Sequence, residues 1–339
     1  MTILVTGGGG FLGRSIIRAL RDRGEQVRSF ARGDYPQLRE WGVEQIRGDI
    51  TDASAVSAAV AGCEAVFHTA ARVEMWGPYE EFFRINTLGT RNVIAACLAH
   101  GVRKLIYTST PSVVHGGDSV AGVDESAPYP AHFEAHYPAT KALAEQEVLA
   151  ANCEALATVA IRPHLVWGPG DTSMMPRVLA KARQGRVRLI GAPQPVDTLY
   201  IDNAVAAHLA AHDRLQFGAP PAGRAYFVTQ GEPCSGHQFL NDLLTANGLA
   251  PIEKRVSVGV ARTIAAIVEG LWKLLRLRSE PPLTRFVVSQ LSTAHWYDIG
   301  AARRDLGYAP AVSYAEGMAR LRAWAQDLRV RASAASSDR

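Results

Sequence analysis

The first thirteen residues, MTILVTGGGGFLG, constrain the fold of this chain more than any other stretch. Ile3, Leu4 and Val5 form an apolar run without polar alternation, which is typical of a central parallel strand buried on both faces. The glycines that follow predict a turn that side chains would obstruct. Apolar residues then recur at helical spacing from Phe11 to Leu20. The chain therefore begins with a strand, a glycine turn and a helix.

The glycines of this turn are spaced G-x-x-G-x-x-G, at Gly7, Gly10 and Gly13. Gly7 allows the tight turn, Gly10 lets the backbone approach a pyrophosphate, and Gly13 lets the helix pack closely on the strand. The free N–H groups at the start of the helix, around Phe11 and Leu12, suit phosphate groups. The pattern predicts a dinucleotide site, with a plain glycine-rich turn as the alternative.

Further strands and helices alternate along the first half of the chain. We expect strands at 26–30, 43–46, 65–69, 104–108 and 158–162. Helical segments between them predict an α/β fold, a Rossmann-type doubly wound parallel sheet.

After about residue 231 the alternation loosens, and the sequence predicts a smaller, mostly helical C-terminal substrate lobe. The dinucleotide-binding domain is expected at 1–163 with about 196–230, and the substrate lobe at 164–195 with 231–328. Helices are expected near 236–247, 259–277 and 313–327. The tail 329–339 is rich in Ala, Ser and Arg, and is expected to be disordered.

The choice of cofactor depends on Arg32, directly after the second strand. An acidic residue there would bind a free ribose 2′-hydroxyl, whereas arginine pairs well with a 2′-phosphate. The sequence favours NADP(H) over NAD(H), although Asp34 lies close by. After the third strand, Asp49 is expected to accept from the adenine amino group with Ile50 against the ring. Asp52 is equally compatible with a cofactor contact and a helix cap.

Other cofactor contacts are expected at the ends of later strands. Thr69, Ala70 and Ala71 end the fourth strand, and their small size leaves room for a cofactor lying across the sheet edge. Pro163 and Val166 follow the sixth strand and are expected beside the nicotinamide.

A Y-x-x-x-K pair, Tyr137 and Lys141, begins a strongly helix-forming segment. Residues four apart share one helix face. The pair follows a strand that ends in hydroxyl residues, and these, including Ser112, could bond a substrate oxygen. Trp76 lies in an aromatic loop, 73–83, that is compatible with either an apolar substrate pocket or ordinary loop packing. Tyr200 is a further candidate for substrate contact.

The stretch 256–277 combines one apolar helix face with several cations. Its charges make it a poor membrane span. Three alternatives stay open for the helix at 259–277: it covers the substrate pocket, it contacts a membrane surface peripherally, or it is a plain packed helix.

Composition limits the class of protein. The formal net charge of +4 is too small to indicate a nucleic-acid surface. Four widely separated cysteines and the absence of a leader before the first strand predict a reduced, cytoplasmic protein, with membrane association left open. The loop 113–135 lacks metal-ligand spacing, and no metal is expected.

In order along nearly the whole chain, TGGGGFLG, RGDI, VFHTAA, YTST, YPATK and RPHLVWGPGD resemble the extended short-chain dehydrogenase/reductases. Within that group, YFVTQGEP, PPLTR and YDIGAARRDLGYAP are similar to the 3β-hydroxysteroid dehydrogenase branch. The stretches RGDYPQL, YTSTPSVVHGG and YPATKALAEQEVLAANCEALATVAIRP resemble the bacterial 2-alkyl-3-oxoalkanoate reductases of long-chain olefin biosynthesis.

The resemblance implies a catalytic set of Thr110, Tyr137 and Lys141, with Ser109 and Ser112 as neighbours of the aligned hydroxyl. Tyr137 would exchange a proton with the substrate oxygen. Lys141 would hold the nicotinamide ribose and lower the pKa of Tyr137 together with the oxidised ring. Tyr137 and Lys141 are therefore expected to contact the cofactor as well.

The implied activity is hydride transfer between NADPH and a ketone or secondary alcohol of a bulky apolar substrate, in first place a 2-alkyl-3-oxo acid. The alternatives are a 3β-hydroxysteroid dehydrogenase, a nucleotide-sugar epimerase and a non-catalytic NADP-binding redox sensor. The resemblance also implies a homodimer and association with partner enzymes of an olefin pathway.

Overall fold

A computed structural model describes residues 2–337. In chain order its strands are β1 (Thr2–Thr6), β2 (Gln26–Ala31), β3 (Glu44–Arg47), β4 (Cys63–His68), β5 (Lys104–Thr108), β6 (Val120–Val123), β7 (Ala157–Pro163), β8 (Val166–Trp167), β9 (Leu189–Ile190), β10 (Pro195–Val196), β11 (Leu199–Tyr200), β12 (Arg224–Val228), β13 (Cys234–Ser235), β14 (Arg255–Val256) and β15 (His295–Tyr297). The α-helices are α1 (Phe11–Asp22), α2 (Pro36–Glu40), α3 (Ala53–Val60), α4 (Tyr79–Phe82), α5 (Gly89–Ala99), α6 (His136–Ala150), α7 (Met174–Arg183), α8 (Ile201–Arg214), α9 (Gly236–Ala246), α10 (Val258–Leu274), α11 (Arg285–Ser292) and α12 (Tyr314–Ser337).

The central sheet has the strand order β12-β7-β5-β4-β1-β2-β3, and every neighbouring pair is parallel. The order reverses direction at β1 and β4, which is the crevice where doubly wound sheets bind ligands. The predicted Rossmann-type fold is therefore confirmed, with a helical C-terminal region beside it.

Both faces of the sheet are buried, which explains why β1 reads as an unbroken apolar run. Ile3 and Val5 pack into a core on one face with Ile16 of α1 and Leu209 of α8. Leu4 points into a second core on the opposite face, together with residues of α3, α5 and α6. Alternate residues of one strand thus enter two different cores, and neither face carries a polar pattern.

Helix α6 is held against β7 by a buried ion pair. Glu145 accepts hydrogen bonds from Arg162 Nε at 2.9 Å and Nη2 at 2.6 Å, and from the Tyr129 hydroxyl at 2.6 Å. Both members of the ion pair are buried. Because Tyr137 and Lys141 are on the first turns of α6, this pair also fixes the region that carries them.

The C-terminal region contains α9 to α12, and its strands β13 and β15 join the earlier strands β10 and β6 in a small sheet of order β13-β10-β15-β6. Helix α12 continues to Ser337, so the prediction of a disordered tail is wrong for 329–337. Alanine and arginine are strong helix formers, and they extend the helix beyond its packed part. Asp338 and Arg339 of the predicted tail lie outside the described residues. The proposed domain boundaries stay predictions.

Candidate active site

The glycine turn has the tight geometry that its spacing predicts. Gly7 has φ +70°, which favours glycine, and its N–H donates to the Phe30 carbonyl at 2.8 Å. The N–H of Gly10 donates back to the Gly7 carbonyl at 2.9 Å. A Cβ added at Gly13 would lie 2.5 Å from that same carbonyl oxygen, so α1 approaches β1 as closely as a glycine permits.

The amino end of α1 fits the phosphates of a nicotinamide dinucleotide. Its N-cap residue, Gly10, is exposed, no side chain in the described range 2–337 caps this helix end, and its first turn holds no acidic residue. The amide groups around Phe11 and Leu12 are therefore available to an anion. Tyr35 covers the turn from one side, since a Cβ at Gly9 would lie 1.9 Å from its ring. No motif in the sequence points to this tyrosine.

At the adenosine end, two arginines stand at the ends of adjacent strands. Arg32 follows β2, and Arg47 ends β3 in register with Ala31. Both line an open cavity of about 390 Å³ with Gly48 and Asp49. Sequence reasoning missed Arg47 as a cofactor candidate, because only strand pairing brings it beside Arg32.

The neighbouring carboxylates differ in what they already bind. Asp34 forms an exposed ion pair with Arg39. Asp49 accepts from the N–H and hydroxyl of Thr51 at 2.9 and 2.8 Å, and these bonds, with the charges of Arg32 and Arg84, hold its pKa below the usual range. Asp49 is thus ionised and lines the cavity. An acceptor for an adenine amino group needs both properties.

Asp52 and Ile50 have structural partners. Asp52 accepts from the N–H groups of Ser54 and Ala55 and caps α3, which decides between its two alternatives in favour of the cap. Ile50 is buried, and a Cβ at Gly89 would lie 2.8 Å from its Cγ2, so its side chain packs against α5.

The end of β4 lies beside the glycine turn. The Thr69 hydroxyl donates to the Thr6 carbonyl at 2.7 Å, and the Ala70 backbone lies 2.9 Å from a Cβ built on Gly7. Ala71 follows, partly exposed.

The exit from β7 forms another part of the same sheet edge. Pro163 ends the strand and Val166 begins β8, which pairs with β11. Between them Leu165 has φ +44°, in a region that L-residues with bulky side chains rarely adopt. The backbone conformation of Leu165 is a third feature, after Tyr35 and Arg47, that the sequence did not signal.

The hydroxyl residues after β5 meet the start of α6. Thr110 is buried, accepts from the Ser112 N–H at 3.2 Å and donates to the Ser112 hydroxyl at 3.3 Å. The Thr110 side chain also lies close enough to Tyr137 to lower the pKa of its phenol. Ser109 is buried too, but its hydroxyl has no hydrogen-bond partner within the described chain. The structure therefore brings Thr110, not Ser109, to Tyr137.

Lys141 lies behind this pair. Its Nζ donates to the Thr108 carbonyl at 2.7 Å and lies 4.0 Å from the centre of the Tyr107 ring. Burial lowers its pKa to about 7, against the opposing effect of Glu145. The ammonium group is thus poorly solvated and is tied to the end of β5.

The pKa of Tyr137 is raised to about 12, because burial disfavours the phenolate more than the nearby Thr110 side chain favours it. From the sequence we expect Lys141 and the oxidised ring to lower the pKa of Tyr137. In the protein alone burial of the phenol outweighs any such lowering. Tyr137 is therefore protonated at neutral pH.

The proposed substrate residues fall into two groups. Ser112 adjoins Thr110, and the Trp76 indole donates to the Leu277 carbonyl at 3.3 Å, just beyond α10. Tyr200, in contrast, is 2% exposed and packs edge-on against Trp167. A Cβ on Gly317 of α12 would lie 2.7 Å from its ring. Tyr200 is a core residue, and its assignment to the substrate is wrong.

Residues 4–257 match the sequence profile of the 3-beta hydroxysteroid dehydrogenase/isomerase family. The chain belongs to this family. It is 54% identical to a 2-alkyl-3-oxoalkanoate reductase of Stenotrophomonas maltophilia, over 95% of this chain and 99% of that protein. It is 44% identical to a protein of the same name from Shewanella oneidensis, over 94% of this chain and 85% of the relative.

Solved structures agree with the fold. The crystal structure of gox2253 is 25% identical and superposes with a TM-score of 0.76, covering 96% of this chain and 98% of the other. A UDP-glucose 4-epimerase of Thermus thermophilus, solved with NAD, gives 0.73 at 22% identity, with 96% and 99% covered. The family is nicotinamide-dinucleotide dependent, and this member of it is an oxidoreductase acting on hydroxyl or keto groups.

Proposed function

We propose that the protein reduces the ketone of a 2-alkyl-3-oxoalkanoate to the 2-alkyl-3-hydroxyalkanoate with NADPH. The hydroxyl pair of Thr110 and Tyr137, with Lys141 behind it at the carboxyl end of β5, is the observation that carries the proposal. The substrate class comes from the two relatives named 2-alkyl-3-oxoalkanoate reductase.

A nicotinamide bound at this sheet edge would supply the hydride. Thr110 donates a hydrogen bond to the carbonyl oxygen and positions it. Tyr137, protonated at neutral pH because its pKa is raised to about 12, gives its proton to the same oxygen as negative charge develops there. Lys141 holds the nicotinamide ribose, and binding there would replace its bond to the Thr108 carbonyl or share it.

The preference for NADPH follows from charge. Arg32 and Arg47 place two guanidinium groups at the cavity beside Asp49. A 2′-phosphate would satisfy both, because guanidinium groups bind phosphate oxygens in a bidentate manner. A free hydroxyl would leave them unpaired.

A second candidate, oxidation or reduction at the 3-position of a steroid, is favoured by the family profile that matches residues 4–257. The site geometry serves both substrates, since the reacting group is a ketone or secondary alcohol in each.

The decisive experiment follows NADPH absorbance with purified protein and a panel of 2-alkyl-3-oxo acids and 3-oxosteroids. Because 3-oxo acids lose carbon dioxide readily, the reverse reaction with NADP⁺ and the 2-alkyl-3-hydroxy acid is measured in parallel. We expect turnover of the branched acids and a higher kcat/KM with NADPH than with NADH. If only steroids were turned over, the proposed substrate would be wrong and the steroid reaction would take its place. If the protein used neither NADPH nor NADH, the whole proposal would be refuted.

A further inference from the structure

The outward side of α10 and the residues directly after it carry a continuous row of exposed aliphatic side chains. We call this row the α10 stripe: Val260, Ile264, Ile267, Leu271, Leu274, Leu275 and Leu277. The first five are spaced by four, three, four and three residues, so they lie on one side of the helix. Their exposure ranges from 46% at Ile264 to 77% at Leu274. Contiguous exposed apolar surface of this kind marks an interaction site.

The fold does not use the stripe. The inward side of α10 carries Ala261, Ala265 and Glu269, which are buried against α11 and β9. Glu269 accepts from the Arg285 N–H at 2.6 Å and from its Nε at 2.8 Å. The helix is thus anchored by one side, while the aliphatic side is left to solvent.

The exposed charges within 258–278 have one sign, and the acidic Glu280 that follows is paired with Arg177. Arg262, Lys273, Arg276 and Arg278 are all exposed, and Glu269, the one acidic residue of 258–278, is turned inward. Arg276 and Arg278 alternate with the last leucines of the stripe. A second copy docked here would bring cations against cations. An anionic bilayer offers both an apolar layer and a negative surface.

The end of the stripe contacts the loop that carries Trp76 and lies near the start of α6. The Leu277 carbonyl receives the Trp76 indole N–H at 3.3 Å. His136 directly precedes Tyr137. Burial lowers the pKa of His136, and the nearby charge of Lys273 lowers it further. A bilayer beneath the stripe would therefore lie on the side of the protein where α6, the helix that carries Tyr137, begins.

We propose that the α10 stripe docks on the surface of anionic lipid bilayers, with α10 lying in the interface. Among the residues that the structure describes, no helix has the length and apolar character needed to cross a bilayer, so the contact is peripheral. The proposal of docking depends only on the stripe and its cations.

The test is flotation of the full chain with phosphatidylcholine vesicles, with and without phosphatidylglycerol. We expect flotation with the anionic vesicles that weakens as salt rises. Ile267→Asp and Leu271→Asp should each lower the affinity by on the order of tenfold or more, because a carboxylate replaces an aliphatic side chain that would enter the bilayer. Phe217→Asp is the matched control, since Phe217 is 53% exposed outside the stripe, and it should bind like the wild type.

The cations are tested separately. Arg276→Gln and Arg278→Gln should each cost about fivefold in affinity for anionic vesicles. Ile267→Ser serves as a second variant, without added charge, if Ile267→Asp alters the circular dichroism spectrum. Wild-type protein that stays unbound with anionic vesicles would overturn the proposal. An equal loss of vesicle affinity in Phe217→Asp would also overturn it. So would stripe variants that change the molar mass measured by light scattering but keep their binding to vesicles, because the stripe would then join protein copies. None of these measurements requires turnover, so a failure here is distinct from a failure of the proposed reaction.

Discussion

Lys141 Nζ lies 2.7 Å from the carbonyl oxygen of Thr108 and donates a hydrogen bond to it. The bond ties the first turns of α6 to the carboxyl end of β5, two residues before Thr110. It therefore sets the distance between the hydroxyl of Thr110 and the phenol of Tyr137. The same burial that makes the bond strong lowers the pKa of Lys141.

This burial predicts a pH dependence of stability without cofactor. The pKa of Lys141 falls from 10.5 to about 7 on folding, so between these values the unfolded chain binds one more proton. The free energy of unfolding should then rise with pH in that window, by on the order of 1 kcal/mol per unit. Urea denaturation at the two ends of the window should show this rise in wild type and its loss in Lys141→Met. The exposed Lys254→Met is the control, and parallel curves for wild type and Lys141→Met would contradict the prediction.

Tyr137→Phe should lower kcat by about 10²–10⁴-fold, because positioned proton transfer contributes that much. NADPH affinity, measured by fluorescence titration, should change little. Tyr314→Phe removes a hydroxyl that bonds Asp242 away from the site, and it should keep wild-type turnover. Wild-type kcat in Tyr137→Phe would show that another group donates the proton.

Thr110 and Ser109 can be distinguished by paired variants. Thr110→Val should lower kcat by about 10²-fold, the cost of losing one donor to a developing oxyanion. Thr110→Ser should recover most of that loss. Ser109→Ala should leave kcat near the wild type, because the Ser109 hydroxyl is buried without a partner in the described chain. The reverse ranking would move the catalytic hydroxyl to Ser109.

Arg32→Asp should shift the preference from NADPH toward NADH, since a carboxylate repels the 2′-phosphate and accepts from a ribose hydroxyl. Arg47→Gln should lower NADPH affinity by about 10-fold, the scale of one charge-assisted hydrogen bond, and leave NADH affinity nearly unchanged. Arg103→Gln serves as a control remote from the cavity, at the start of β5. If the nucleotide preference were unchanged in both cavity variants, a residue other than Arg32 and Arg47 would bind the 2′-phosphate.

The Glu145–Arg162 pair offers a test of how α6 is held. Arg162→Met should lower the free energy of unfolding by about 3–5 kcal/mol, because it leaves Glu145 buried without its charge partner. The double variant Arg162→Met/Glu145→Leu should be clearly more stable than the single one. Urea denaturation measures both, and a double variant no better than the single would argue against an unpaired charge as the cause.

The sequence by itself determined the features that depend on neighbours along the chain. An unbroken apolar run, the glycine spacing from Gly7 to Gly13 and the helical pair of Tyr137 and Lys141 were sufficient for the strand, the turn and the start of α6. These patterns act over a single strand or a few helical turns, so local physics fixes their outcome.

Tertiary structure decided what depends on distant residues. Strand pairing placed Arg47 beside Arg32, and the packing of α12 turned Tyr200 into a core side chain. The fold likewise directed Thr110 rather than Ser109 to Tyr137, and left the α10 stripe in solvent. Burial and the partners of each polar group follow from contacts between residues far apart in the chain, and no local pattern records them.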